Sequence, residues 1–330
     1  MSAMTSPTTD LTAELESYRR ELTAYCYRML GGTFQAEDAV QETMLRAWRA
    51  ADSFEGRSSL RSWLYRIATN VCLDMIDADK RRVRPMDLRP AQSADSALPD
   101  PLEESMWIEP VPDALVVGAE GDPATVALAR ESVRLAFMAA LQNLPPRQRA
   151  VLILREVLRW QATEVAELLE TSVPSVNSAL QRARETLDAR RLSLDEASVV
   201  GSPEDDAATQ ELLAKYVDAF ERYDMDALTA VLAEDVKWNM PPYDLWLNTA
   251  ADATAWCMGK GIGCMGSRLI PVQANGSPGF AQYKPGPDGT LVPWSIQVLE
   301  ISDGEIKGIT FFLDTQRFFP LFGVPPELPA

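Results

Sequence analysis

The sequence predicts a multidomain chain in which two all-α units are followed by an α+β unit. Three observations predict it. Apolar residues recur at helical spacing over residues 10–84 and again over 125–192. Prolines and acids crowd residues 85–124, acids crowd 193–207, and neither stretch carries that period. Over 208–330 two helical patterns give way to strand-like alternation, with helices first and long strands last. A chain of 330 residues is long enough to bury two or three separate cores.

In the first unit, Leu11, Leu15, Tyr18, Leu22, Tyr25, Cys26 and Met29 lie on one helix that Gly31 and Gly32 close. Two more helices fill residues 36–74. On the first, Val40, Met44, Ala47, Trp48 and Ala51 form the expected core face. Asp38, Glu42 and Arg49 lie opposite, with Leu45 among them. The second starts at Ser58 or Ser59 as N-cap, and Leu60, Leu64, Ile67, Ala68, Val71 and Met75 make its buried stripe. Ser62, Arg66 and Thr69 then face outward, flanked by Trp63 and Asn70. With Phe54, Arg57 and Ser58 in the preceding loop, this surface offers rings on which unpaired bases stack and cations that hold phosphates. A solvated helix with a buried Trp carries the same residue types. The run Lys80-Arg81-Arg82-Val83-Arg84 suits a helix C-terminus or a phosphate grip, and its position beside that surface favours the grip.

Residues 85–124 hold seven prolines among Asp, Glu and Ser, so they should form an extended tether without a core of their own. Inside the tether, residues 107–113 (WIEPVPD) are an apolar island suited to docking on another domain of this chain or on a partner. The second unit, 125–192, places Val133, Phe137, Met138, Leu141 and Leu144 on one stripe, and Pro145-Pro146 starts the next helix. Residues 163–187 then read as a helix-turn-helix. In its last helix Val176, Ala179, Leu180, Ala183 and Leu187 face inward. Asn177, Ser178, Gln181 and Arg182 face out, with Ser175 and Arg184 at the margins. Asn and Gln pair with adenine edges, and Arg pairs with guanine or phosphate, so this face fits a major groove. A helical hairpin with a merely hydrated side has the same pattern.

In the last unit, residues 210–223 and 225–232 are amphipathic helices and 236–240 a strand stopped by Pro241-Pro242. Residues 294–301 and 306–313 pair through a turn at Ser302-Asp303-Gly304-Glu305. Tyr216, Phe220, Trp238, Met240, Trp246, Phe312 and Asp314 are candidate lining of a pocket, although aromatic residues there also suit plain core filling.

The chain carries a net charge of −17, spread unevenly. Residues 1–90 hold 13 basic and 13 acidic groups and 131–194 hold 9 and 7, whereas 91–130 hold 1 and 8 and 195–330 hold 8 and 20. The two segments expected to meet nucleic acid are thus near neutral, with their cations clustered, and free DNA should be bound weakly. The sequence has no histidine, which removes the usual zinc ligand and neutral-pH base; no metal, cofactor or catalytic residue is assigned. Cys26 and Cys72 read as buried free thiols. The spacing leaves a Cys257–Cys264 disulfide open, and a reducing cytosol disfavours it. No apolar segment marks a membrane span or a signal peptide, so a cytoplasmic location is expected.

The order AEDAVQETMLRAW, loop, SSLRSWLYRIATNVCLD resembles region 2 of the extracytoplasmic-function group of sigma-70 transcription factors. LPPRQRAVLILREVL followed by TEVAELLETSVPSVNSALQRARETL resembles region 4. AFERYDMDALTAVLAEDVKWNMPP with FFLDTQRFFPLFG resembles the SnoaL-like branch of the nuclear-transport-factor-2 fold, which curls a sheet into a cone. With the W-x-E-P linker, the order most resembles the sigma factor G-like group. The resemblance implies a promoter-specificity subunit that does no bond-making chemistry. Its domains would be region 2 (10–84), linker (85–124), region 4 (125–192), acidic linker (193–207) and SnoaL-like cone (208–330). Core RNA polymerase, through its beta-prime clamp and beta subunit, and promoter DNA are the implied partners, without a membrane. Asp38, Gln41, Glu42 and Leu45 would dock on polymerase. Phe54, Arg57, Ser58, Arg61, Trp63, Arg66, Asn70, Lys80, Arg81 and Arg82 would read the melted minus-10 element. Ser175, Asn177, Ser178, Gln181, Arg182 and Arg184 would read minus-35. Asn177 and Ala179 stand where many relatives carry Lys and Arg, which leaves Arg182 and Arg184 as the main anchors. The cone would regulate by contact with the sigma domains. The alternative is a SnoaL- or ketosteroid-isomerase-like enzyme, or a ligand sensor, fused to a DNA-binding regulator.

Overall fold

The computed structural model describes residues 13–54, 56, 58–76, 82–118, 122–188 and 207–329. The chain packs as two units. One joins Met1–Arg82 with Ala114–Ala197; the other joins Val83–Asp113 with Ser198–Ala330.

The first unit is helical. Helix α1 (Arg19–Leu30) ends on Gly31, whose positive φ of 74° lets its N–H return to the Tyr27 carbonyl at 2.7 Å. Helix α2 (Thr33–Arg49) buries Ala36, Ala39, Val40, Thr43 and Ala47, small residues that let α1 approach. Its stripe therefore advances as 36-40-43-47. That phase leaves Met44 half-buried and turns Trp48 to solvent, 55% exposed, contrary to the expected core face. Ser59 caps helix α3 (Leu60–Met75), accepting from the Ser62 N–H at 3.1 Å. Leu64, Ala68, Val71 and Cys72 enter the core as expected. Thr69 does not face outward: it is buried, its hydroxyl paired with Tyr25 at 2.8 Å and with the Tyr65 carbonyl at 2.6 Å.

Helices α4 (Pro123–Glu131), α5 (Leu135–Gln142), α6 (Pro146–Leu152), α7 (Ala162–Leu168) and α8 (Val173–Asp188) complete this unit. Asp122 caps α4 and Pro146 opens α6 at its first position. A capping box of Gln161 and Glu164 starts α7. Glu170, at a φ of 51°, makes the turn into α8, which buries Val176, Leu180, Ala183 and Leu187.

The second unit sets helices α9 (Ala207–Arg222) and α10 (Met225–Val231) before a six-stranded sheet with α11 (Ala250–Met258) inserted. Its strands are β1 (Leu232–Asn239), β2 (Trp246–Leu247), β3 (Arg268–Ala274), β4 (Ser277–Pro285), β5 (Leu291–Ser302) and β6 (Glu305–Phe312), in the order β2-β1-β6-β5-β4-β3. All neighbours are antiparallel except β1 and β6. The β5–β6 turn falls where the sequence puts it, with Asp303 and Gly304 at positive φ. Tyr216, Phe220, Leu228, Trp238, Leu299 and Phe311 share one core cluster. Helix α12 (Thr315–Leu321) contributes Phe318, which packs edge-on to Phe312.

The linker behaves differently from a free tether. Residues 83–113 carry only short helical turns, at Pro85–Leu88 and Glu104–Met106, and are bonded into the α+β unit at many points. Gln92 N–H donates to the Trp246 carbonyl at 3.0 Å, and the Trp246 indole N–H donates to the Arg89 carbonyl at 2.8 Å. Arg89 pairs with the buried Asp244, and Leu102 N–H reaches the Pro242 carbonyl at 2.8 Å. Val111 and Asn275 exchange two bonds, at 3.0 and 3.1 Å, and the Gly276 N–H donates to Asp113 at 2.8 Å. A proline-rich segment lacks a core yet keeps carbonyls and side chains available for such pairing. Among the described residues, no helix is long and apolar enough to cross a membrane.

Candidate nucleic-acid interface

Helix α2 presents the acidic face expected of it. Asp38 and Gln41 are exposed, and Leu45 and Trp48, three residues apart, form an apolar pair beside them. Glu42 is half-buried and held by Arg46 at 2.6 Å, and Arg46 also lies 3.5 Å from Asp74. Trp48 is the residue of this face that periodicity misassigned. Phasing the stripe on alanines 36, 39 and 47 rather than on Met44 would have exposed it.

The next face gathers around α3. Phe54 and Trp63 stack with centroids 4.9 Å apart, Ser58, Arg61 and Arg66 are half-buried, and Asn70 is exposed. Arg61 is not free for phosphate. It pairs with Glu21, which also accepts from the Tyr65 hydroxyl at 2.7 Å, and its guanidinium lies 5.3 Å from the Tyr65 ring and 5.2 Å from the Trp160 ring. Arg57, Lys80 and Arg81 lie outside the described residues. Arg82 departs from the expected surface grip: it is buried against Gly31 and Gly32. A Cβ on Gly32 would come within 2.4 Å of the Arg82 guanidinium, so any larger residue there would make that side chain shift.

On α8, Ser175, Asn177, Ser178, Gln181, Arg182 and Arg184 are all exposed on one side. Gln181 is tied to Glu185 at 2.9 Å and Arg184 to Glu156 at 2.5 Å. Arg184 is therefore a brace between α8 and the segment after α6, which leaves Arg182 as the cation presented outward.

Within the helical unit two arginines, Arg28 and Arg149, are buried and bond to neutral oxygens. Arg28 donates to the Ser132 hydroxyl at 3.0 and 2.8 Å and to the Ala129 carbonyl at 3.2 Å. Arg149 donates to the Met29 carbonyl, to Gln142 Oε1 at 2.6 Å and to the carbonyls of Gln142 and Leu144 at 3.1 and 3.2 Å. Burial lowers both groups to about 10. The negative end of the α1 dipole, where the Met29 carbonyl lies, offsets part of that cost.

Of the expected pocket lining, the structure brings together Tyr216, Phe220, Trp238 and Met240. Trp246 faces the linker instead, and Asp314 precedes α12, 3.7 Å from Arg317. Phe312 points to the opposite side of the sheet from Phe311, onto Trp107 and Phe318. Inside the unit, the Tyr216 hydroxyl donates to Gln297 at 2.7 Å, Gln297 to Gln282 at 3.0 Å, and Gln282 to Ser267 at 3.0 Å. The buried carboxylates are elsewhere: Glu109, Asp113 and Asp244 hold the linker or its anchor loops, and Asp235 is exposed. Docking of the WIEPVPD island follows the sequence expectation, while the roles of Glu109, Asp113 and Asp244 in it were not foreseen.

Comparison with known proteins follows the same division. Residues 15–82 match the model of sigma-70 region 2, and residues 134–187 match sigma-70 region 4. The chain is similar to the ECF RNA polymerase sigma factor SigG of Mycobacterium tuberculosis, 46% identical over 97% of this chain and 85% of the relative. It is also similar to SigW of Bacillus subtilis, 30% identical over 52% of this chain and 84% of the relative. The crystal structure of the M. tuberculosis extracytoplasmic function sigma factor SigJ superposes with a TM-score of 0.60. The superposition covers 93% of this chain and 97% of that one, at 23% identity, a likeness of fold.

Proposed function

The chain belongs to the extracytoplasmic-function sigma factors of the sigma-70 family, and from that premise we propose that it joins core RNA polymerase through the exposed face of α2. It is an alternative sigma factor with a SnoaL-like α+β unit, a transcription initiation factor rather than an enzyme. Asp38, Gln41, Glu42, Leu45 and Trp48 dock on the beta-prime clamp. Phe54, Trp63, Arg66 and Asn70 take up bases of the melted minus-10 strand, with Ser58 and Arg61 beside them and Arg57, Lys80 and Arg81 near the phosphates. Asn177, Ser178, Gln181 and Arg182 read the minus-35 major groove, framed by Ser175 and Arg184. The observation that carries this is the Leu45–Trp48 pair, an apolar patch left open amid carboxylates on a helix whose other face is fully buried. Purified chain added to core polymerase should start transcription at promoters that core alone ignores. Failure to co-elute with core would end the proposal.

The α+β unit acts as a regulator. Residues 83–113 join region 2 to region 4, and a free tether of that length would reach on the order of 100 Å. Bonded into the α+β unit, the same segment is no free tether. Truncation after residue 191 should change promoter output several-fold while core affinity changes little. Equal output from the truncated and full chains would overturn the regulatory role.

A further inference from the structure

We propose that Cys257 and Cys264 are an oxidisable dithiol: a hydroperoxide closes them into a disulfide, and the closure loosens the grip of Lys260 on residues 93–98 of the linker. Helix α11 ends at Met258, and a 3-10 turn at Ile262–Cys264 brings the chain back. The return is tight. The Cys264 N–H donates to the Gly261 carbonyl at 2.9 Å, and a Cβ on Gly261 would stand 3.0 Å from the Cys257 Cα. The Tyr223 hydroxyl lies 2.7 and 2.8 Å from the Cys257 and Gly261 carbonyls and pins them together. Both thiols are free, Cys257 buried and Cys264 half-buried, and Met258, Gly259, Lys260, Ile262 and Gly263 between them are exposed. Lys260 stands in the middle of this loop. Its Nζ donates to the Asp95 carbonyl at 3.0 Å and to the Ser96 carbonyl, and lies 5.5 Å from the centroid of the Trp256 ring. It thereby holds the linker between the anchors at Gln92 and Leu102. A disulfide needs its two Cα atoms within about 7 Å and a fixed torsion, so closing it resets the backbone that aims Lys260.

The two thiols have different roles. Cys264 is the one that solvent reaches. Burial pushes its thiol up, whereas the Gln282 amide on its sulfur and the Lys284 ammonium favour the thiolate, the nucleophilic form. Cys257 is pushed up to about 12, by burial first and then by the charge of Cys264. The Cys264 thiolate attacks a hydroperoxide oxygen. An S–O bond forms, the O–O bond breaks, and the leaving oxygen takes the thiol proton to become an alcohol, or water when the oxidant is hydrogen peroxide. The Cys257 sulfur then displaces hydroxide from that sulfenic acid, an S–S bond replaces S–O, and the hydroxide leaves as water with the Cys257 proton. Two thiols are oxidised to one disulfide while one peroxide is reduced. Because burial keeps both groups protonated, the pair stays reduced until peroxide is in excess. A transient, sensing disulfide in a reducing compartment has this behaviour.

The test uses the full chain, hydrogen peroxide in excess, and dithiothreitol to reverse its effect. Peptide mapping without reductant should find residues 257 and 264 joined, with the fully buried Cys26 and Cys72 still thiols. Hydrogen exchange over residues 93–98 should quicken about tenfold, the effect of losing a charge-assisted hydrogen bond, and should return with reductant. Cys264→Ser should show neither change. That variant keeps the exposed Met258 and Met265, so quickening that persists in it would come from sulfoxide formation and would overturn the dithiol. Lys260→Met should quicken the same amides without oxidant and leave nothing for peroxide to add. A pair still reduced under excess peroxide, or a disulfide that leaves residues 93–98 as protected as before, would overturn the proposal. Any effect on transcription rests on the α+β unit as regulator. A loosened linker with unchanged promoter output would remove that reading and keep the dithiol.

Discussion

Replacing Asp38 and Glu42 with lysine should abolish productive binding to core polymerase while the protein melts almost as before. Asp38 is exposed, and Glu42 has one partner, Arg46, itself 43% exposed. An exposed pair of this kind contributes about 0.5 kcal/mol, and a Lys facing Arg46 one turn on costs about as much again. The residues that hold the helix, Ala36, Ala39, Val40, Thr43 and Ala47, are on the other side and are untouched. If the carboxylates dock as proposed, the same two changes reverse the charge that their partner surface would have to complement. Losses of about 3 kcal/mol, or a hundredfold in affinity, are typical where a buried interfacial charge is unpaired. Affinity by fluorescence titration against core, beside a thermal melt, checks both halves. A double variant that initiates normally would mean that α2 is not the docking helix.

Trp107→Ala should be the most damaging single change in the second unit. Trp107 is buried, stacked on Phe312 at 5.9 Å and edge-on to Phe318 at 5.7 Å, and its backbone bridges Val83. Removing an indole from such a site costs about 3–5 kcal/mol, a large share of a domain's stability. Residues 83–113 should loosen around the Val83–Trp107 bridge, which loses its ring packing. Calorimetry should register a lower transition for this unit, and a protease should cut within 85–106 where the parent resists. Trp107→Phe should restore most of the loss. An unchanged transition and a protected linker would show that the hydrogen bonds to Trp246, Pro242 and Asn275 hold the segment by themselves.

How legible the chain was depends on the range of the contact. The α2 face and the outer face of α8 follow from helical spacing alone, so Asp38, Gln41, Arg182 and their neighbours emerge where the sequence puts them. Trp48 and Thr69 failed because a stripe has a phase as well as a period, and only the packing of α1 fixes the phase. Arg61 and Arg82 looked like surface cations, but their neighbours, Trp160 and Gly32, are distant in sequence. Strands β3 and β4 escaped notice because Pro271, Pro278 and Gly279 break the usual strand composition. Gly279 is needed there, since a Cβ would come within 2.3 Å of the Gln297 carbonyl. In the cone, Ile309 and Phe311 point inward, so Phe312 points out, and choosing Phe312 and Asp314 for the interior was an error of one residue in register. The tether docked because of Trp107, whose presence was visible though its destination was not.

The buried file from Tyr216 through Gln297 and Gln282 to Ser295 and Ser267 has a consequence for how the sheet is spelled. Alternating apolar and polar residues cannot tell β5 from β5 displaced by two positions along β4, because both placements keep greasy groups inside. The amides can. Gln282 sits opposite Ser295, and its Oε1 accepts from the Ser295 hydroxyl at 2.9 Å and from the Gln297 amide at 3.0 Å. Any displaced alignment leaves these groups thirsty in a dry interior, so a few carboxamides proofread what the hydrophobic pattern leaves ambiguous.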